Sequence, residues 1–280
     1  MSSEATAPAT AIAPPKISAQ NVWKTFGEDG DPRQVVALKD LSLDIPQNQF
    51  VCLLGPSGCG KSTLLNIAGG LLKASSGQVT VNGTKVEKPM PKDVAFVFQE
   101  NTLFPWSTVI DNIRVGLEFQ GVPKRDWDAR AFPALESVGM ADFAHHYPDQ
   151  LSVGMKQRIA LARGLSLQTD VLLMDEPFAA LDEQTRMVLG EDLSVLLTNT
   201  TKTIVFVTHS LAEAVFLSDR IYVFTARPGR IKEVVDVDEA HPRHPDFMTS
   251  DKFNHLRNRL YELLRDEIRQ TVQQSASVGA

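Results

Sequence analysis

Short apolar runs punctuate the chain at residues 50–54 (FVCLL), 94–98 (VAFVF), 171–174 (VLLM), 203–208 (TIVFVT) and 220–224 (RIYVF). The first four are almost free of polar alternation, as strands covered on both faces of a parallel sheet should be. Segment 78–82 (QVTVN) alternates instead and runs into Gly83, the pattern of an exposed antiparallel hairpin. The expected class is α/β, a parallel-sheet core with a small antiparallel β lobe.

Between about residues 100 and 166 the strand signal gives way to helical spacing through 109–117, 127–138 and 150–163, so a helical subdomain is expected as an insertion in the core. Beyond a turn-rich HPRHPD segment, Phe253, Leu256, Leu260, Leu264 and Ile268 form one apolar stripe on an otherwise charged helix, expected to pack back on the core. The two ends, 1–15 and 273–280, are rich in small and polar residues without pattern and are expected to be disordered tails. The predicted organisation is a main domain at 16–240, a C-terminal helical extension at 241–272, and these two tails.

At 280 residues and 43% hydrophobic content the chain can bury a sizeable core. Its formal net charge of -6 provides no global footprint for a phosphate backbone, so a nucleic-acid partner is not expected. Cys52 and Cys59 match no metal-ligand spacing and read as reduced thiols of a cytosolic protein. No apolar run approaches the roughly 20 residues that span a bilayer, and the N-terminus lacks the basic start and apolar core of an export signal.

The chemistry begins where the run 50–54 meets Gly55, Pro56, Ser57, Gly58, Cys59, Gly60, Lys61, Ser62 and Thr63, followed by the helical LLNIA. This is a G-x-x-x-x-G-K-[S/T] phosphate loop in its required strand-to-helix context. Glycines let successive N–H groups converge on an anion, the helix N-terminus favours negative charge, Lys61 reaches the terminal phosphates and Ser62 can ligate Mg²⁺. A second buried strand ends in Asp175-Glu176. That position suits one carboxylate for the Mg²⁺ shell and the next for polarising an attacking water.

With these motifs in order, followed by Ala180-Leu181-Asp182 and Thr208-His209, the chain resembles the ATP-binding subunits of ABC transporters over about residues 17–230. The resemblance implies a RecA-like core, ATP and Mg²⁺ as ligands, and ATP hydrolysis. It implies Phe26 as the aromatic that stacks on adenine, and Gln99 as the glutamine that touches Mg²⁺ and water and opens the loop facing the membrane subunit. Glu176 would be the catalytic base, His209 the γ-phosphate contact, Asp175 the metal ligand, and Asp182 an interface residue near the partner's phosphate loop. In the segment Leu151-Ser-Val-Gly-Met155 the family pattern is Leu-Ser-Gly-Gly-Gln. Ser152 and Gly154 keep the donors expected to grip the partner's nucleotide, whereas Val153 and Met155 depart from the pattern. Val153 is harmless at a helical φ and strained at the positive φ that glycine tolerates.

Two local features, Leu103-Phe-Pro-Trp106 and Ala226-Arg-Pro-Gly-Arg-Ile231, resemble the ATPases that power nitrate, sulfonate, taurine and bicarbonate importers. The resemblance implies a head-to-tail dimer, with a second copy or a paralogue, bound peripherally at the cytoplasmic face of the bacterial inner membrane to two permease subunits. An extracytoplasmic solute-binding protein is an indirect partner. The competing readings are a weakly catalytic member of a heterodimeric pair, suggested by the altered segment at 151–155, and a non-transport ABC ATPase. The latter would need a coiled-coil insertion or a second ATPase domain, and the chain has neither.

Overall fold

The computed structural model describes residues 14–278 except 29, 32, 101 and 199. Ten strands and seven α-helices are arranged, among these residues, around two sheets. The larger, six-stranded sheet has the order β10-β9-β3-β8-β7-β6 and contains β3 (Phe50–Leu54), β6 (Val94–Val97), β7 (Val171–Asp175), β8 (Thr203–Thr208), β9 (Arg220–Phe224) and β10 (Ile231–Asp236). All its pairings are parallel except the closing β9–β10 hairpin.

Alternate residues of each strand feed opposite cores, as the two-residue period of a strand requires. Cys52, Leu54, Leu172, Met174, Ile204 and Phe206 join one cluster with the helical part of the chain, while Val51, Leu53, Val171, Leu173, Val205 and Val207 join another. Both faces are therefore covered, which explains why these strands read as unbroken apolar runs. The second cluster is closed by helix α1 (Lys61–Ala68) and by a four-stranded antiparallel sheet of order β2-β1-β4-β5, made of β1 (Ile17–Phe26), β2 (Val35–Ile45), β4 (Ser76–Val81) and β5 (Thr84–Lys85). The alternating segment at 78–82 thus lies in the antiparallel lobe, as its pattern indicated.

The first cluster contains the helical insertion: α2 (Val109–Phe119), α3 (Trp127–Glu136) and α4 (Val153–Ser166). Thr108 caps α2 by accepting from Asp111 N at 3.3 Å, and the buried Asn112 amide ties the loop before it by donating to the Phe104, Ser107 and Thr108 carbonyls. Helices α5 (Glu183–Thr198), α6 (Leu211–Leu217) and α7 (Asp251–Val278) complete the fold.

Helix α7 departs from expectation in two ways. It extends to Val278, so the loose tail expected from residue 273 is helical as far as that residue; the expected N-terminal tail falls outside the described residues apart from 14 and 15. Phe253, Leu256, Leu260 and Leu264 are buried as the stripe predicts, but Ile268 is 45% exposed and Glu267 is buried in its place. At that level the helix faces hydrogen-bonding groups of the loop after β9 rather than apolar core, which selects a carboxylate over a methyl group.

Candidate active site

Parallel strands that share a sheet end at the same edge, so residues far apart in sequence meet there. Along the carboxyl edge, in spatial order, stand the loop after β9, the phosphate loop after β3, His209 after β8, Asp175-Glu176 at the end of β7, and Gln99 after β6. A cleft of about 380 Å³ opens above this edge. Phe26, Ser57, Gly58, Gly60, Lys61, Ser62, Thr63, Gln99 and Glu176 line it, together with Val35, Ala37 and Arg227. Most of the expected site residues are thus brought together.

The phosphate loop is shaped for an anion. Gly60 stands at the N-cap of α1 with φ 105°, a left-handed conformation that a β-carbon would strain. No side chain caps α1, unlike α2, α4 and α6, whose first N–H groups are met by Thr108, Ser152 and Ser210, and the first turn of α1 carries no acidic residue. The orphan N–H groups of α1 and its positive dipole end therefore face the cleft. Lys61 is buried, and its Nζ donates to the Gly55 and Pro56 carbonyls at 2.9 and 3.0 Å, so the ammonium is held at the base of the loop. Gly55, Pro56 and Cys59 are buried residues of the loop, where burial pushes the Cys59 thiol up.

Ser62 Oγ donates to Asp175 Oδ1 at 2.7 Å. Burial raises the Asp175 carboxyl above the usual carboxylate range, and the bond from Ser62 only partly opposes that shift. A hydroxyl and a carboxylate in contact are hard oxygen donors suited to Mg²⁺, which takes few protein ligands when phosphate oxygens and water complete its shell. Among the described residues there is no cluster of three or more His, Cys, Asp or Glu that would make an all-protein cage.

Glu176 is the one site residue with a strained backbone: φ is 42° and its N–H is fixed by the Val207 carbonyl at 3.0 Å. A left-handed non-glycine residue costs on the order of 1–3 kcal/mol and persists where the surroundings dictate the side chain's direction. Its carboxylate points at the neighbouring strand end, with Oε2 3.5 Å from His209 Nδ1. Thr208 stands behind His209, its hydroxyl donating to the half-buried Glu213 at 2.5 Å. Phe26 closes the far side, 42% exposed at the end of β1 with Lys24 Nζ 5.0 Å above its ring.

Ser152, Gly154 and Asp182 are not in this cleft; they lie on a separate surface of the same chain. Ser152 is the N-cap of α4, accepting from Met155 N at 3.3 Å, and Asp182 starts α5, accepting from Thr185 N at 2.9 Å and Thr185 Oγ1 at 2.7 Å. A β-carbon on Gly154 would stand 3.3 Å from Thr185 Cγ2, so the two helix starts are neighbours. Val153 is the first residue of α4 with an unstrained φ, and Met155 packs against the larger core cluster. The alternative of a strained Val153 is therefore excluded.

Arg227 is the cleft residue that sequence reasoning missed. In sequence the segment around it carries only a subfamily resemblance, yet β9 runs parallel to β3 and hydrogen-bonds it, so the residues after β9 emerge beside the phosphate loop.

A family model described as ABC transporter matches residues 38–179. An uncharacterized ABC transporter ATP-binding protein of Methanocaldococcus jannaschii is 45% identical over 90% of this chain and 92% of its own length. A taurine import ATP-binding protein of Rhizobium johnstonii is 48% identical over 74% of this chain and 78% of its own. Among solved structures, a dimeric post-hydrolysis state of an ATP-binding cassette bound to ADP and Pi superposes with a TM-score of 0.71 at 31% identity, covering 80% of this chain and 100% of that one.

Proposed function

The chain belongs to the ABC transporter family, as one of its ATP-hydrolysing ATP-binding proteins, and on that premise we propose that it powers the import of a small anionic solute of the taurine, sulfonate, nitrate or bicarbonate type. It does so as a head-to-tail dimer bound to two permease subunits at the cytoplasmic face of the membrane. The observation that carries this reading is the cleft itself, with its anion-shaped loop, paired oxygen donors and strained carboxylate on one sheet edge, in a chain related to an import ATPase.

In this mechanism adenine lies against Phe26, and the triphosphate lies over the N–H groups of residues 58–63 and Lys61. Ser62, Asp175 and Gln99 are the residues that would hold Mg²⁺, which would supply positive charge to neutralise the phosphates. Glu176 accepts a proton from the attacking water, and His209 orients that water and the γ-phosphate. Ser152 and Gly154 of one protomer complete the other's site, with Asp182 beside the opposite phosphate loop. With those three residues outside their own cleft, one chain alone would hold half of each site, and ATP would gain affinity as two chains close.

No helix among the described residues is long and apolar enough to cross a membrane, and in this reading attachment comes from the permease. The surface for it begins at Gln99 and includes Phe104 and the 75% exposed Trp106, whose rings lie 5.4 Å apart. Large exposed aromatics at a surface mark a protein contact. The test is hydrolysis by the complex reconstituted with its neighbouring permease: stimulation by a solute-binding protein loaded with a small anion supports the reading. Stimulation by a loaded sugar-binding protein, or none by any anion carrier, would contradict it.

A further inference from the structure

The loop after β9 is wedged between three elements. On one side Gly229 N donates to the Ala37 carbonyl at 2.8 Å, and Lys39 N donates back to the Gly229 carbonyl at 3.1 Å, so the loop extends the edge of β2. A β-carbon on Gly229 would overlap the Cys59 carbonyl, which admits only glycine at this approach to the phosphate loop. On the other side the buried Glu267 of α7 accepts from Ala226 N at 2.7 Å and from Lys232 Nζ at 2.7 Å. Lys232 also donates to the Leu263 carbonyl at 2.8 Å, tying β10 to the same turn of α7.

Arg227 is the residue that this wedge presents to the cleft. Its Nε donates to the Gly58 carbonyl at 3.1 Å, and its Nη2 stands 2.9 Å from the position a Gly58 β-carbon would occupy, so the guanidinium lies directly on the phosphate loop. The cations among the cleft-lining residues are Lys61 and Arg227. Lys61 is a point charge at the base, whereas the guanidinium at the rim has the planar donor geometry that matches phosphate oxygens.

We propose that Arg227 is a nucleotide-binding residue that takes the β-phosphate side of a nucleoside di- or triphosphate, and that Glu267 is its positioning residue, by which α7 reports to the cleft. This rests on the reading that the cleft holds nucleotide, and it assigns the C-terminal helix a part in that binding. Ala226 is adjacent to Arg227, so the bond from its N–H to Glu267 sets where the guanidinium starts. Glu267→Gln keeps an acceptor for that N–H, whereas Glu267→Ala removes it.

The experiment is calorimetric titration of the full chain with ADP and with AMP. Arg227→Ala should weaken ADP about tenfold while moving AMP less than about twofold, and Arg227→Lys should recover part of the loss. Glu267→Ala should weaken ADP about threefold and Glu267→Gln less than about twofold, and Glu267→Ala should add nothing in the Arg227→Ala background. Equal ADP affinity in Arg227→Ala and the parent, with Lys61→Ala still abolishing binding, overturns the proposal and leaves the cleft reading standing. Undiminished binding in Lys61→Ala overturns the cleft reading itself. A Glu267→Ala loss that persists in the Arg227→Ala background rejects Glu267 as the positioning residue.

Discussion

Restoring the family pattern at the altered segment, by Val153→Gly with Met155→Gln, should make the protein less stable without making it faster. In the proposed dimer the donors toward a partner's phosphate would be Ser152 Oγ and backbone N–H groups at the start of α4, and neither substitution changes them. Val153 is 49% exposed with an unstrained φ, so glycine relieves nothing and costs a few tenths of a kcal/mol in helix propensity. Met155 is partly buried against the core, and burying a methionine fully is worth about 1.5–3 kcal/mol, so replacing it with glutamine forfeits roughly 1 kcal/mol. The pair should together cost about 1–2 kcal/mol, a fall in Tm of roughly 3–6 °C for a chain of this size. The assays are thermal unfolding of the apo chain and steady-state phosphate release with Mg-ATP, where turnover should stay within about threefold of the parent. A tenfold gain in turnover, about 1.4 kcal/mol of barrier, with unchanged Tm would refute the reasoning, because it would mean that the native side chains obstruct the clamp.

Asp175→Asn should abolish Mg²⁺-dependent hydrolysis yet stabilise the apo chain by about 1 kcal/mol, because it removes a charge from a buried position and leaves an acceptor for Ser62. The same raised carboxyl fixes a pH slope: its contribution to stability is complete below the ordinary carboxylate range and is lost as pH rises through the raised value. Apo stability measured across that window should decline with pH in the parent more than in the variant. Arg243 is buried and its guanidinium donates to the Val215, Phe216 and Ser218 carbonyls at the end of α6 and to Glu239 O. Arg243→Met should lower stability by about 3 kcal/mol in denaturant titration by orphaning those carbonyls, while ADP affinity in the folded fraction is retained.

The carboxyl edge of the sheet was legible because each of its strands is an apolar run and each chemical residue directly follows one: residues 55–63, Gln99, Asp175-Glu176 and His209 could be placed by counting from strand ends. Strands β1 and β2 were harder to see. Bulges break the register between Ala19 and Val22 and again before Thr25, so strict alternation fails along β1. Helices α5 and α6 carry no dominant stripe, since α6 is buried on most of its surface and α5 is mixed. The largest miss was the junction of Ala226, the neighbour of Arg227, with Glu267, which are 41 positions apart and meet only because α7 folds back over the β9–β10 hairpin. A stripe rule assigns that turn of α7 to Ile268, and only the tertiary contact shows that a carboxylate is needed there.

The most direct test of the central claim is ATP turnover by Glu176→Gln, followed with sizing of the protein in the presence of Mg-ATP. The substitution keeps the side chain's shape at the strained position while removing the proton acceptor. Turnover should fall by at least about a hundredfold, and the ATP-bound chain should accumulate as a dimer. Undiminished turnover, with the protein monomeric in ATP, would contradict both Glu176 as the base and the dimer that brings Ser152 and Gly154 to the opposite cleft.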